Sequence, residues 1–178
     1  DGTDVETVES AFSLADARLK VAEPFHTGYS TGMTLRLAEF PEAPQAELRL
    51  CLNVTGLEVV FELAAPAEIP GLTCINWPKP IETGNAPGDC AVIPHMQGML
   101  LPGNWPHPVH CKDLCNSRTL YMPWCGQIHD GHGVQTILET SDDTGVEYVH
   151  PAGGPTRIQP RWYASLGALS YLRSVRYV

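Results

Sequence analysis

The sequence predicts an all-β fold, an antiparallel β-sandwich (supersandwich-like) with long proline- and glycine-rich loops. Short apolar stretches alternate with polar residues at a period of two, the pattern of half-buried strands. Sixteen glycines and sixteen prolines punctuate 178 residues, too densely for long helices. Apolar residues make up 43% of the chain and charged residues 17%, a globular balance. Domains usually run to roughly 100–200 residues, so residues 1–178 are read as a single sandwich domain.

Residues 1–23 are acidic and then mildly periodic through Phe12, Leu14, Leu19 and Val21, a pattern that admits helix or strand. Residues 34–40 set Leu35 and Leu37 against Arg36 and Glu39, and residues 47–52 repeat the alternation; both predict strands. Residues 57–63 are apolar and branched with Glu58 and Glu62 interrupting, and the turn chemistry of residues 53–56 joins them to the preceding strand as an antiparallel hairpin. Nine prolines from Pro66 to Pro108 exclude helix there. Residues 90–93 and 99–101 survive as brief strands, each stopped by a proline that has no N–H for a ladder. Beyond a loop rich in Asn, Trp, His and Cys, residues 119–124, 134–139 and 146–149 form a predicted meander separated by Asp-Gly and Asp-Thr-Gly turns. The last stretch, 161–178, ends on Val175-Arg176-Tyr177-Val178. Domains seldom stop in mid-strand, so the expectation is a fragment of a longer polypeptide.

A formal charge of −9 argues against general binding to nucleic acid or anionic membrane, which need a field of lysine and arginine. The charge is uneven: residues 148–178 hold Arg157, Arg161, Arg173 and Arg176 and no acid. That basic end is expected to meet another domain, with Arg173 and Arg176 as interface residues. Six cysteines favour a secreted protein, with Cys111 or Cys115 closing onto Cys125 or Cys90. Asn53-Val54-Thr55 is a glycosylation acceptor pattern.

The candidate chemistry concentrates between His107 and His132. His107, His110, Cys111, Cys115 and Cys125 are zinc-ligand types, but the spacing is not that of a standard finger, and stapled loops are the preferred reading. His129-Asp130-Gly131-His132 groups imidazoles with a carboxylate and is also a plain Asp-Gly turn. A Cys125–His129 nucleophile pair would need an orienting group and an oxyanion site. Glu139, Asp142 and Asp143 are clustered carboxylates of the type that glycoside hydrolysis pairs at roughly 5–9 Å, though adjacent acids on a turn are more simply solvated. Sugar contact needs an aromatic platform and hydrogen-bonding groups, and Trp105, Trp124, His129 and Asp130 supply both. Trp124 also fits a core position.

Several segments in one order carry a resemblance over roughly residues 70–178: Gly88-Asp89-Cys90-Ala91-Val92-Ile93-Pro94, Gly98-Met99-Leu100-Leu101-Pro102, Met122-Pro123-Trp124-Cys125-Gly126, Ile137-Leu138-Glu139-Thr140-Ser141-Asp142-Asp143, Leu166-Gly167, and Tyr171-Leu172-Arg173-Ser174-Val175-Arg176-Tyr177. Together they resemble the N-terminal sandwich of large glycoside hydrolases related to the endo-α-N-acetylgalactosaminidases. In that group a galactose-mutarotase-like sandwich precedes a catalytic (β/α)8 barrel. The resemblance implies that the catalytic carboxylates lie in the barrel, so no catalytic residue, metal or cofactor is assigned to this chain. The cysteine and histidine enrichment at 107–132 departs from the group. The expected function is a non-catalytic accessory domain of a secreted glycoside hydrolase that packs on the downstream catalytic domain and lends loop residues to carbohydrate binding. The rival expectations are a free-standing, disulfide-stapled lectin or adhesion module and a small metal-dependent hydrolase using the His/Cys cluster.

Overall fold

The computed structural model describes residues 12–117, 119–164 and 169–178. A single 3-10 turn, Leu14–Asp16, opens it, with Ser13 as N-cap and a reciprocal capping box to Asp16. Fourteen strands follow among the described residues: β1 Leu19–His26, β2 Thr31–Ala38, β3 Glu47–Thr55, β4 Glu58–Ala64, β5 Cys74–Asn76, β6 Ile81–Glu82, β7 Cys90–Ile93, β8 Met99–Pro102, β9 Val109–Leu114, β10 Trp124–His129, β11 His132–Leu138, β12 Thr144–His150, β13 Arg157–Tyr163 and β14 Arg173–Tyr177. The fold is all-β, as the sequence predicts, in two antiparallel sheets. The larger runs β1-β2-β3-β4-β14-β11-β10-β7-β8, and the smaller runs β5-β13-β12-β9 with β6 also on β13.

The last strand joins the two halves of the large sheet, since β14 pairs with β4 on one side and with β11 on the other. The expected β3–β4 hairpin is present, with Thr55 opposite Glu58 and Gly56 at φ 58 in the two-residue loop. Asp130 and Gly131 make the β10–β11 turn with φ 49 and 74, the twist that suits a two-residue hairpin.

Three stretches depart from expectation. Residues 119–123 are loop, with isolated bridges from His95 and Cys115 to Leu120 and a hydrogen bond from the Leu138 amide to the Pro123 carbonyl at 2.7 Å, and the strand starts at Trp124. Pro123 cannot donate to a ladder, and the Trp124 amide is taken by the Met122 carbonyl at 2.9 Å. Strand β9 lies in the stretch read as loop, and β13 was hidden by Pro160. That proline is tolerated because the neighbouring edge is broken there: Arg161 pairs with Asn76 of β5 and Ile158 with Ile81 of β6, leaving Pro160 opposite the gap.

Alternation sends Leu48, Leu50, Leu63, Leu138, Val146, Tyr148, Ile158, Trp162 and Val175 into the interior between the sheets. The Trp162 indole donates to the Trp77 carbonyl at 2.6 Å, so the bulkiest core side chain also anchors the β5–β6 loop. No helix among the described residues is long and apolar enough to cross a membrane.

Candidate functional site

Asp89, the residue before β7, organises the end of the sandwich where the sugar-type residues cluster. Its buried carboxylate accepts from the amides of Asp130 (2.9 Å) and Ala86 (3.0 Å) and contacts His129 Nδ1 at 3.1 Å. The Asp130 amide is the main cause holding this carboxyl below the usual range; burial opposes it, and His129 and Ala86 add to it. The Asp89 carbonyl accepts from the Gly103 amide at 2.8 Å. One residue thereby ties together the turn before β7, the turn after β8 and the β10–β11 hairpin tip. A Cβ on Gly84 would fall on the Asp89 carboxylate and the His129 ring, and one on Gly103 would fall on the Gly84 carbonyl, so the loops meet where only glycine fits.

Trp105 belongs to the same end. Its carbonyl accepts from buried His150 Nε2 at 2.9 Å and from the Gly153 amide at 2.7 Å, while its indole stays 43% exposed and edge-on to His107. With Nε2 donating, His150 Nδ1 accepts from the Thr156 hydroxyl at 3.0 Å. A pinned backbone carrying a free aromatic face can stack on an apolar ligand face, and exposed His129 and Asp130 add polar groups. Trp124 is not part of this cluster. It pairs with Ile137 at the opposite end of β10, about 16 Å from His129 at ~3.3 Å per residue.

The other sequence candidates are committed within the fold. Arg173 is fully buried, which removes it from any surface: its guanidinium donates to the carbonyls of Tyr171 and Tyr163, both at 3.2 Å, and lies 4.0 Å over the Tyr171 ring. A guanidinium on the inward-facing side of β14 is retained by such partners, so the structure places Arg173 inside the domain rather than on its outer face. Arg176, on the outward side, stays partly exposed and pairs with Glu139 and Glu58. Glu139 also accepts from Ser174 Oγ at 2.6 Å, and Asp143 accepts from the Tyr171 hydroxyl at 3.1 Å. Asn53 sits mid-strand in β3 between Gly32 and Val60, with its Oδ1 buried.

Cys90, Cys111, Cys115 and Cys125 stand as thiols in this structure, which shows no closure of Cys111 or Cys115 onto Cys125 or Cys90. Burial pushes the thiols of Cys115 and Cys125 up to about 12, a state in which sulfur is a poor nucleophile. Cys125 and His129 are four residues apart on one strand, about 13 Å at ~3.3 Å per residue, beyond hydrogen-bond reach. His110 pairs with Glu147 at 2.8 Å, and no group of three or more His, Cys, Asp or Glu among the described residues is placed to hold a metal ion.

Two features were not foreseen. The first is a polar network inside the sandwich: Asp113 on β9 accepts from the Tyr148 hydroxyl at 2.6 Å and pairs with His95 Nδ1 at 2.7 Å. Burial alone would raise the Asp113 carboxyl, but the hydrogen bonds from Tyr148, His95 and Thr119 outweigh it and hold it below the usual range. Only the fold brings residues 95, 113 and 148 together. The second is an open apolar groove of about 920 Å³ at the β3–β4 end, floored by Val59, Phe61, Val134 and Tyr177 and walled by Trp77 and Ile81. The apolar, branched run 57–63 marked a strand, but not that one end of the interior lies open.

No family model and no curated protein matches the chain. Solved structures of the alpha-N-acetylgalactosaminidase NagBb from Bifidobacterium bifidum do. In its GalNAc complex that enzyme shares 29% identity over 96% of this chain, with a TM-score of 0.87. The ligand-free enzyme gives 30% over 94% with 0.82, and a quadruple mutant 29% over 96% with 0.86. The chain spans less than a third of those chains, 29%, 28% and 29% respectively. The likeness fits a domain of a large glycosidase.

Proposed function

We propose that this chain is a non-catalytic accessory β-sandwich, of the galactose-mutarotase-like type, from a secreted glycoside hydrolase acting on α-linked N-acetylgalactosamine, whose catalytic carboxylates lie elsewhere in the parent polypeptide. One observation carries it: 96% of this chain superimposes on 29% of an alpha-N-acetylgalactosaminidase chain at a TM-score of 0.87. The carboxylates add support. Asp89, Asp113, Glu139 and Glu147 are all held below the usual range by hydrogen bonds within the fold, whereas a glycosidic general acid needs a raised value.

In this proposal the end of the sandwich carrying Trp105, His129 and Asp130 contributes to sugar binding, with the Trp105 face as platform and the hairpin tip as polar rim. Secretion belongs to the same proposal and is tested by looking for the natural polypeptide outside the cell. The test is release of N-acetylgalactosamine from an aryl α-N-acetylgalactosaminide by the natural polypeptide that contains this segment and by the 178-residue chain alone. Turnover by the longer polypeptide only is expected. Turnover by the short chain, or none by either, overturns the proposal.

A further inference from the structure

The groove at the β3–β4 end is the visible part of a longer uncovered surface. Strand registers place Met33 opposite Leu52, Leu52 opposite Phe61, and Phe61 opposite Val175. One row further on, Thr31, Val54, Val59 and Tyr177 are aligned the same way. Leu35, Leu50 and Leu63 share that face one row in the other direction, and Leu50 and Leu63 are core. Because side chains alternate with a period of two, all of these belong to the inward face of the large sheet.

That face should be covered, and among the described residues it is left open at this end. Met33 is 39% exposed and Val54 40%, and Leu57, at the hairpin tip beside them, is 93% exposed. Among the described residues the Trp77–Ile81 loop walls the groove, held by the Trp162 indole on the Trp77 carbonyl and by the Gln159 amide on the Pro78 carbonyl at 2.7 Å. The groove lining contains one formal charge, Lys79. Isolated exposed apolar residues need no explanation, but a contiguous strip continuous with the core marks an interaction surface. In a layered fold the inward face of a sheet finds its partner in another layer.

We infer that this strip, from Met33 across Val54 and Val59 to Tyr177 with Leu57 at its rim, is the docking face for the remainder of the parent glycosidase chain, which covers it with an apolar surface of its own. The occupant follows from the span of the likeness. This chain accounts for 29% of the matched glycosidase, so more than two thirds of such a parent lies outside it. Arg176, by contrast, is already neutralised by Glu139 and Glu58, so the strip rather than the basic end of the sequence carries the contact. The inference rests on the accessory-domain proposal above.

The test uses the full parent polypeptide with Leu57→Cys, and separately with Leu100→Cys on edge strand β8, five strands from β4 in the sheet order. Maleimide labelling of each cysteine is followed by peptide mass spectrometry, with each native rate divided by the rate of the same site in urea. Both side chains are well exposed in this domain, so neither site is protected by its own fold. The inference predicts that Leu57→Cys is protected at least about tenfold more than Leu100→Cys in the native parent. Equal protection at the two sites overturns it. The two proposals fail separately: a parent without glycosidase activity sinks the functional proposal, whereas an active parent with a freely labelled Leu57→Cys sinks only the docking face.

Discussion

Replacing Tyr148 with Phe removes one hydroxyl from the interior and nothing else. The ring fills the same volume, so no cavity term arises. What is lost is the donor that reaches Asp113 Oδ2 at 2.6 Å, leaving a buried carboxylate with His95 as its main remaining side-chain partner. A hydrogen bond to a charged group contributes about 1.5–3 kcal/mol, so the variant should be about 2 kcal/mol less stable near neutral pH. For a chain of this size that corresponds to roughly 4–8 °C in Tm. The loss has a definite pH dependence. The folded-state value of Asp113 is depressed, so its contribution is fully present above the unfolded carboxylate value and is lost as pH falls through the folded one. The gap between wild type and Tyr148→Phe should therefore be full at neutral pH and close in acid. Urea unfolding followed by tryptophan fluorescence at a series of pH values measures it. A gap under about 0.5 kcal/mol at neutral pH, or one that widens in acid, refutes the network as described.

Three further outcomes are expected. Trp105→Ala in the parent enzyme should raise KM about two- to tenfold, the equivalent of one aromatic contact, with kcat within about twofold; an unchanged KM removes Trp105 from sugar binding. Asp89→Asn should accelerate hydrogen exchange at the Asp130 amide, because a neutral amide holds that donor less well than the carboxylate does; unchanged exchange would show that the hairpin tip does not depend on Asp89. Thiol titration without reductant should find Cys115 and Cys125 reactive in denaturant but slow to react in the native protein; failure of either to react in denaturant would show that it is held in a disulfide.

Much of the sheet was legible because a period of two survives wherever one face is buried. Leu35 and Leu37 in β2, Leu48 and Leu50 in β3, and the Asp130-Gly131 turn could all be placed from local chemistry. Strand β13 could not, because Pro160 is excluded from a central ladder unless the neighbouring edge is interrupted, and that interruption is made by segments some 80 residues upstream. The burial of Arg173 was equally hidden. A row of arginines reads as a basic surface, and only the inward face of β14 shows that this guanidinium is held by carbonyls inside the domain. In the candidate site, Trp105, His129 and Asp130 were nameable as residue types suited to sugar. Asp89, which unites their loops, looked like one acid among twenty. The number of cysteines suggests staples, but which of them could pair depends on Cα separations that only the fold sets.

The most direct measurement of the central claim is the intact mass of the natural polypeptide that carries this segment, taken from its source. The account predicts a species several times heavier than the 19.4 kDa of this chain, with residues 1–178 as one part of it. A species at 19.4 kDa, or heavier only by glycan, would contradict it and leave a free-standing module.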